Sequence, residues 1–327
     1  MARRAGVARS TVSYALSGKR SISRETRERV EAAIKELGFT PNAGARALAT
    51  SQTMVIGLFV QFFEDEFSPA MLQYVLPISD AAREAGYDIL MVTEADGPHA
   101  VHRISSSGMV DGVILLNVAH EDARLPVMRK MRQPGSMVGL PGNPEGFDVF
   151  DLDFAGSGRL LVDHLAERGH HELTLITPRE EVYQRGGAYA WRFRDAALQQ
   201  AATHGIRVRS YFGQTQQPAI NHQLNQILDA QPGTAMIVHN DAVIAALPSV
   251  LYSRSLRVPD DLSVVGIFSE DFGKLFSLPY TAVETSPNKL GRLAVQALVQ
   301  RMTTPEGVPV PRVELVAPHI TDRGSTR

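Results

Sequence analysis

Arg9, Ser10, Thr11, Ser13, Tyr14 and Ser17 fall within nine residues and carry the donors that hydrogen-bond to base edges and phosphate oxygens. Arginine forks onto guanine, whereas serine and tyrosine are less selective partners. Val12 and Leu16 are four apart and share one helical face. That leaves Arg9, Ser10, Tyr14 and Ser17 pointing outward. A helix of this kind suits a DNA major groove, and Lys19 and Arg20 follow where a phosphate strand would run. A first short helix ends at Gly6-Val7 and the second starts near Ala8, so the pair has the form of a helix-turn-helix. Ser23 is placed to cap a third helix, with Glu25 in its first turn. Val30, Ala33, Ile34 and Leu37 give that helix a core-facing stripe, and Gly38 stops it. Pro41-Asn42 then opens the segment NAGARALAT, too short and too poor in apolar residues to fold alone.

Charge separates this end from the rest. Through Gln52 there are ten Lys and Arg against four Glu, a net +6, while the whole chain carries −2. The remaining residues therefore hold −8. A basic end on an acidic body is the electrostatic pattern of a nucleic-acid binder with a second function elsewhere.

The chemistry that the chain lacks narrows that second function. There are no cysteines, hence no disulfide, thiolate nucleophile or Cys-ligated zinc. The sequence contains no GxGxxG after a strand, no phosphate-loop motif, no HExxH and no GxSxG. His170-His171 are adjacent at a helix end and do not share a face, which suits capping rather than a metal pair. No apolar run reaches 18 residues and the start is not a signal peptide. The expectation is a soluble, cytoplasmic protein with no membrane partner, no cofactor, no metal and no enzymatic activity.

From Met54 onward, apolar runs alternate with amphipathic ones. VIGLFV (55–60), DILMV (88–92), GVILL (112–116), MVGL (137–140), LTLI (173–176), AMIV (235–238) and VVGIF (264–268) read as strands. They are almost continuously apolar, as strands buried on both faces of a parallel sheet are. Helical stretches such as 70–85 and 158–168 close on Gly86 and Gly169. The alternation predicts a doubly wound α/β body behind an all-α end.

The order AGVxxxTVSxxL, SxxTRERVxxAIxELGF and PNxxARxL over residues 1–48 resembles the lactose-repressor/galactose-repressor family of bacterial transcription regulators. VDHLAERGHHELTLI, VPDDLSVVGIF, LPYTAVETSPNKLGRLAVQAL and VELVAPHITDRGSTR extend the resemblance over essentially the whole chain. It implies an all-α helix-turn-helix N-terminal domain (1–50, with a hinge helix at 41–50) and an α/β, two-lobed periplasmic-binding-protein-like effector domain (54–327). Lobe 1 is placed at about 54–149 and 281–312, lobe 2 at about 150–280 and 313–327. Crossovers are expected near 148–152, 279–284 and 313–319. It also implies a homodimer, without the family's tetramer-forming tail, on a palindromic double-stranded DNA operator. Arg9, Ser10 and Tyr14 would read bases, and Thr11, Ser13, Ser17, Arg20 and Asn42 would position on phosphates. Leu48, with Ala45 and Arg46 beside it, would wedge the minor groove and kink the site. Family members begin several residues earlier. Met1 stands where they have the middle of the first helix, so the expectation is a start further upstream or a trimmed, uncapped helix with weakened DNA binding.

The effector positions depart from the family. The Arg that precedes its RxxG[FW] aromatic is Tyr189 here and the Gly is Arg192, with Arg185 a candidate substitute. The Asp of its GFDD or GYDD strand end is Phe268. Phe67, Tyr189, Trp191 and Phe268 are therefore expected to make an aromatic cleft, with core packing as the plainer role for Trp191 and Phe67. Asn240 and Asp241 would lie at the strand–helix junction lining it, Asp241 mostly ordering the loop. The expected function is a sequence-specific transcription regulator, a repressor, controlled by a small-molecule effector of unknown identity. The alternative is a small-molecule binding protein with impaired DNA binding. A flat or partly apolar effector fits the aromatic cleft better than a simple hexose.

Overall fold

The computed structural model describes residues 1–17, 21–37, 50, 52–63, 66, 68–275, 278–304 and 310–327. The N-terminal unit holds α1 (Ala2–Ala5), α2 (Arg9–Ser17) and α3 (Arg24–Glu36). Gly6 ends α1 with φ 65°, a left-handed conformation that glycine takes without a Cβ penalty. Ser23 caps α3 by accepting from the Thr26 N–H at 3.2 Å. Ala5, Val12, Val30 and Ala33 form a small buried core, with Val7, Ala15 and Ile34 packed on it. Arg4 donates to Glu36 at 2.7 Å and ties α1 to α3. Leu37, expected in the core stripe, is instead 50% exposed because α3 ends at Glu36. Gly38 and the side chain of Leu16 lie outside the described residues.

The body is built of two parallel sheets. In lobe 1 the chain runs β1 (Val55–Phe59), α4 (Ser68–Glu84), β2 (Asp88–Val92), α5 (Gly97–Ser106), β3 (Gly112–Leu115), α6 (Leu125–Met128), β4 (Gly135–Val138) and β5 (Asp148–Leu152). It crosses to lobe 2 for α7 (Phe154–Ala166), β6 (Glu172–Thr177), α8 (Glu180–Gln184), α9 (Ala188–Thr203), β7 (Arg207–Phe212) and α10 (Ala219–Ala230). That lobe continues with β8 (Ala235–Val238), α11 (Asp241–Ser253), β9 (Val264–Phe268), α12 (Glu270–Gly273) and β10 (Thr281–Glu284). The chain then returns for α13 (Pro287–Thr303) and β11 (Val313–Val316), and ends on β12 (Ile320–Thr321) in lobe 2.

Among the described residues each sheet has six strands, in the orders β11-β5-β4-β3-β1-β2 and β12-β10-β9-β8-β6-β7. Every pairing is parallel except β10 with β12. Successive strand residues face opposite layers. Ile56 and Leu58 pack on α4 and α13 through Ile78, Ala82, Leu290 and Leu298. Phe59, Val113 and Leu115 pack on α5 through Val101 and Ile104. In lobe 2, Leu173, Leu175 and Ile267 face α7 and α9, whereas Met236, Val264 and Phe268 face α10 and α11.

Strand pairing corrects the lobe limits. Residues 150–152 belong to β5 in lobe 1, because β5 lies between β4 and β11. Residues 281–284 form β10 beside β9 in lobe 2, and 313–316 form β11 beside β5 in lobe 1. The three crossings therefore follow Leu152, Glu284 and Val316. Each lies at or just past the end of a strand, where pairing rather than hydrophobic pattern decides which sheet the chain has joined.

Candidate functional site

The two lobes close on a cavity of about 190 Å³, walled by both of them at the carboxyl ends of their strands. A water needs roughly 10–15 Å³ by this measure, so the space suits a small ligand rather than a trapped solvent molecule. Lobe 1 contributes Phe62, Phe63, Glu66, Tyr74, Asn117 and Asp151, and lobe 2 contributes Phe154, Tyr189, His239, Asn240, Asp241 and Ser269.

Buried supports hold these groups. The loop after β3 is clamped by Arg124, which is 2% exposed, pairs with Asp122 at 2.6 Å and donates to the Leu116 and Asn117 carbonyls. That clamp presents Asn117, whose amide donates to Glu66 at 2.8 Å. Glu66 also pairs with Arg185 of lobe 2 at 2.6 Å, and the Arg185 guanidinium lies 4.0 Å from the Phe63 ring centroid. Ser269, which caps α12, donates across the cleft to Gln73. Arg192 of lobe 2 donates to the Leu140 carbonyl at 2.9 Å and sits 3.7 Å from Asp151. The lobes are thus latched by polar contacts on both sides of the cavity.

Burial sets the protonation of the floor. Asp151 accepts from the Leu140 and Leu152 amides at 2.9 Å. Burial still pushes its carboxyl up to about 6, against the pull of those amides and of Arg192. His239 packs 4.4 Å from Phe193 and is held neutral, its value driven down to about 3 by burial. Burial raises Asp241 to about 7. The Tyr74 and Tyr189 phenols are raised by the same cause.

The structure separates the expected effector residues. Tyr189, Asn240 and Asp241 line the cavity. Asn240 caps α11 by accepting from the Val243 amide at 3.1 Å, and Asp241 follows it in the first turn of that helix on the cavity wall. Phe268 is a correction. It is 2% exposed and packs with Phe272 in the core on the α10–α11 face, and its neighbour Ser269 takes the cleft position. Trp191 is also displaced. Two residues after Tyr189 on α9, it falls about 200° around the helix and packs against Val182, Tyr183 and Ala190, edge-on to His120. Phe67 lies outside the described residues. Sequence reasoning missed Gln73, Tyr74, Asn117, Asp151, His239 and Ser269. Only Asp151, a carboxylate inside an expected crossover, gave a usable signal.

In the N-terminal unit, Arg9 and Ser10 are exposed on α2, and Thr11 and Tyr14 are half-buried, while Val12 turns into the core. Ser13 and Ser17 lie on the same helix, but their side chains are outside the described residues, as are Arg20, Asn42, Ala45, Arg46 and Leu48.

A helix-turn-helix unit followed by a two-lobed unit with an interlobe cavity defines a ligand-responsive DNA-binding protein. Residues 1–42 match the bacterial regulatory proteins of the lacI family, and residues 162–326 match the periplasmic binding protein-like domain. The HTH-type transcriptional regulator CelR of Thermobifida fusca is 30% identical over 94% of this chain and 92% of its own length. The ribose operon repressor of Escherichia coli (strain K12) is 28% identical over 99% and 98%. Among solved structures, the lac repressor dimer bound to operator and the anti-inducer ONPF superposes with a TM-score of 0.81 at 25% identity, covering 99% of this chain and 97% of that one. A CelR–cellobiose complex gives 0.68 at 25% identity over 99% of this chain and 98% of that one. The chain belongs to the lacI family of bacterial transcription regulators.

Proposed function

We propose that the protein is a homodimeric, cytoplasmic repressor that reads a palindromic operator through α2 and answers to a small molecule bound between its lobes. The observation that carries this reading is the interlobe cavity itself. Its walls come from both lobes, so a ligand there must prefer one lobe arrangement, and that preference is what an effector transmits. In this reading Arg9, Ser10 and Tyr14 contact base edges, and Thr11, Ser13, Ser17, Arg20 and Asn42 contact phosphates. Ala45, Arg46 and Leu48 enter the minor groove. Tyr189, Asn240 and Asp241 border the effector. No catalytic step is part of the reading.

Large exposed apolar side chains support the homodimer. Leu72 and Leu76 lie one turn apart on α4, at 44% and 65% exposure, and Leu275 and Tyr252 are exposed in lobe 2. Apolar surface of this kind suits a second copy of the chain. The test is binding to DNA from the chain's own upstream region as salt is varied. With about 0.9 per phosphate neutralised and a +6 end on each subunit, the log–log slope should fall at roughly −5 to −9. A slope near zero on every DNA tried rejects the reading.

A further inference from the structure

We infer that the effector carries a protonated nitrogen that pairs with the Asp241 carboxylate, on a flat or apolar body packed among Phe62, Phe154 and Tyr189. This rests on the proposal that the interlobe cavity is the effector site. Among the described residues, each cation around the cleft already has an acid. Arg185 is on Glu66 at 2.6 Å, Arg192 is beside Asp151 at 3.7 Å, and Arg179 is on Glu181 at 2.6 Å. Asp241 has no ion pair or side-chain hydrogen bond among the described residues, although it lines the cavity in the first turn of α11. An ionised carboxylate in so enclosed a place needs a counter-charge, and among the described residues none is supplied.

The neighbouring groups favour a cation over a sugar. A polyhydroxylated ring needs several fixed donors and acceptors, because hydroxyls buried without partners are costly. Most polar groups of the cleft are committed to one another: Asn117 to Glu66, Ser269 to Gln73, Asp151 to two backbone amides and Asn240 to the cap of α11. The buried polar atoms left without a partner on the cavity wall include the His239 Nδ1 and the Thr215 hydroxyl, which add only isolated contacts. Aromatic faces make up much of the remaining wall, and ring faces attract cations as well as flat apolar bodies.

The test uses the full chain at pH 8 with tryptamine and tyramine as amine probes. Their neutral alcohol counterparts, tryptophol and tyrosol, and the sugars cellobiose and ribose are the controls. Thermal shift and isothermal titration calorimetry should show stabilisation by at least one amine and at least tenfold weaker binding of its alcohol. Asp241→Asn should lose at least tenfold in amine affinity while melting no lower than the parent, and Asp241→Glu should recover part of the loss. Equal response to amine and alcohol, no response to either amine, or an Asp241→Asn protein that binds the amine like the parent overturns the inference. Operator binding measured without any ligand separates the two readings. Loss of DNA binding with amine binding intact rejects the regulator, whereas normal DNA binding without amine recognition rejects only the cation.

Discussion

At the scale of single residues, Arg9 and Asp241 are the positions where chemistry outweighs packing. Arg9 is exposed on α2, beyond the Val12 that anchors the helix, so its removal should leave the fold intact. Arg9→Ala should lower operator affinity by about 1–3 kcal/mol, roughly 5- to 150-fold, and relax sequence preference. Fluorescence anisotropy on operator and on scrambled DNA reads both effects, and an equal loss on the two DNAs would assign Arg9 to phosphate. Asp241 is costly to the ligand-free protein. Its folded value of about 7 lies above the ordinary 3.8, so the folded state holds the proton more tightly. Below 3.8 both states are protonated and nothing is lost. Stability falls as pH rises from about 4 to 7, and the full cost applies above 7. Asparagine cannot ionise. Asp241→Asn should therefore melt a few degrees above the parent at pH 8, at about 2–4 °C per kcal/mol, with the gap narrowing as pH falls below 7 and closing only near the ordinary carboxyl value of 3.8. Asp151 runs in the same direction, and His239 runs oppositely, losing stability as pH falls from 6.5 towards 3. Both are common to the two proteins and cancel in the comparison. Phe268 shows what the sequence withheld at this scale. VVGIF is buried throughout, so no alternation marks which side chain leaves the core, and a one-residue phase error moves a position from cleft to core. The separation of Tyr189 from Trp191 was legible in helix geometry alone.

At the scale of elements, the strands that could be read were those whose sequence is an almost continuous apolar run, whether central or, like β2, at a sheet edge. β1, β2, β3, β6, β8 and β9 match apolar runs in the sequence to within two residues at each end. β7 was missed because its sequence, RVRSYF, carries two arginines and a serine and no apolar run, with most of its side chains in solvent. β5, DVFDL, carries two buried acids and was seen only as a crossover. Asp148 is held by Arg301 from α13, and Asp151 by backbone amides. A strand whose polar residues are neutralised by distant partners cannot be read from its own pattern. The same dependence on partners makes the α7–α9 contact fragile. A Cβ at Gly158 of α7 would stand 2.4 Å from the Phe193 carbonyl oxygen and 3.1 Å from the Ala197 nitrogen, both backbone atoms of α9. Neither can rotate away, so Gly158→Ala must push the helices apart even though alanine favours helix. We expect a loss of about 1–3 kcal/mol, typical of overpacking. Chemical denaturation should show it, and a stability equal to the parent's would mean that lobe 2 relaxes freely at this contact.

For the whole molecule, the division into a basic DNA-binding end and an acidic two-lobed body was plain from charge and motif, while the lobe limits were not, because the chain changes sheet within a few residues of a strand end. The closed arrangement of the lobes could not be read either, since Glu66 and Arg185 are 119 positions apart and meet only across the cavity. Their contact is a latch that a ligand can reinforce. It joins Asn117 and Glu66 of lobe 1 to Arg185 of lobe 2, with the guanidinium over Phe63. Arg185→Ala removes the ion pair and the stacking together, but leaves Glu66 its hydrogen bond from Asn117. The closed state should lose population, and ligand affinity should fall by the factor by which that population falls. Small-angle scattering should report a larger radius of gyration than the parent's. Operator affinity should change at least threefold, since a shift in lobe arrangement is the signal that reaches the DNA-binding end. An unchanged radius would mean that Ser269 with Gln73, and Arg192 with the Leu140 carbonyl, hold the lobes without this pair. A larger radius with unchanged operator affinity would mean that lobe opening is not what the DNA-binding end senses.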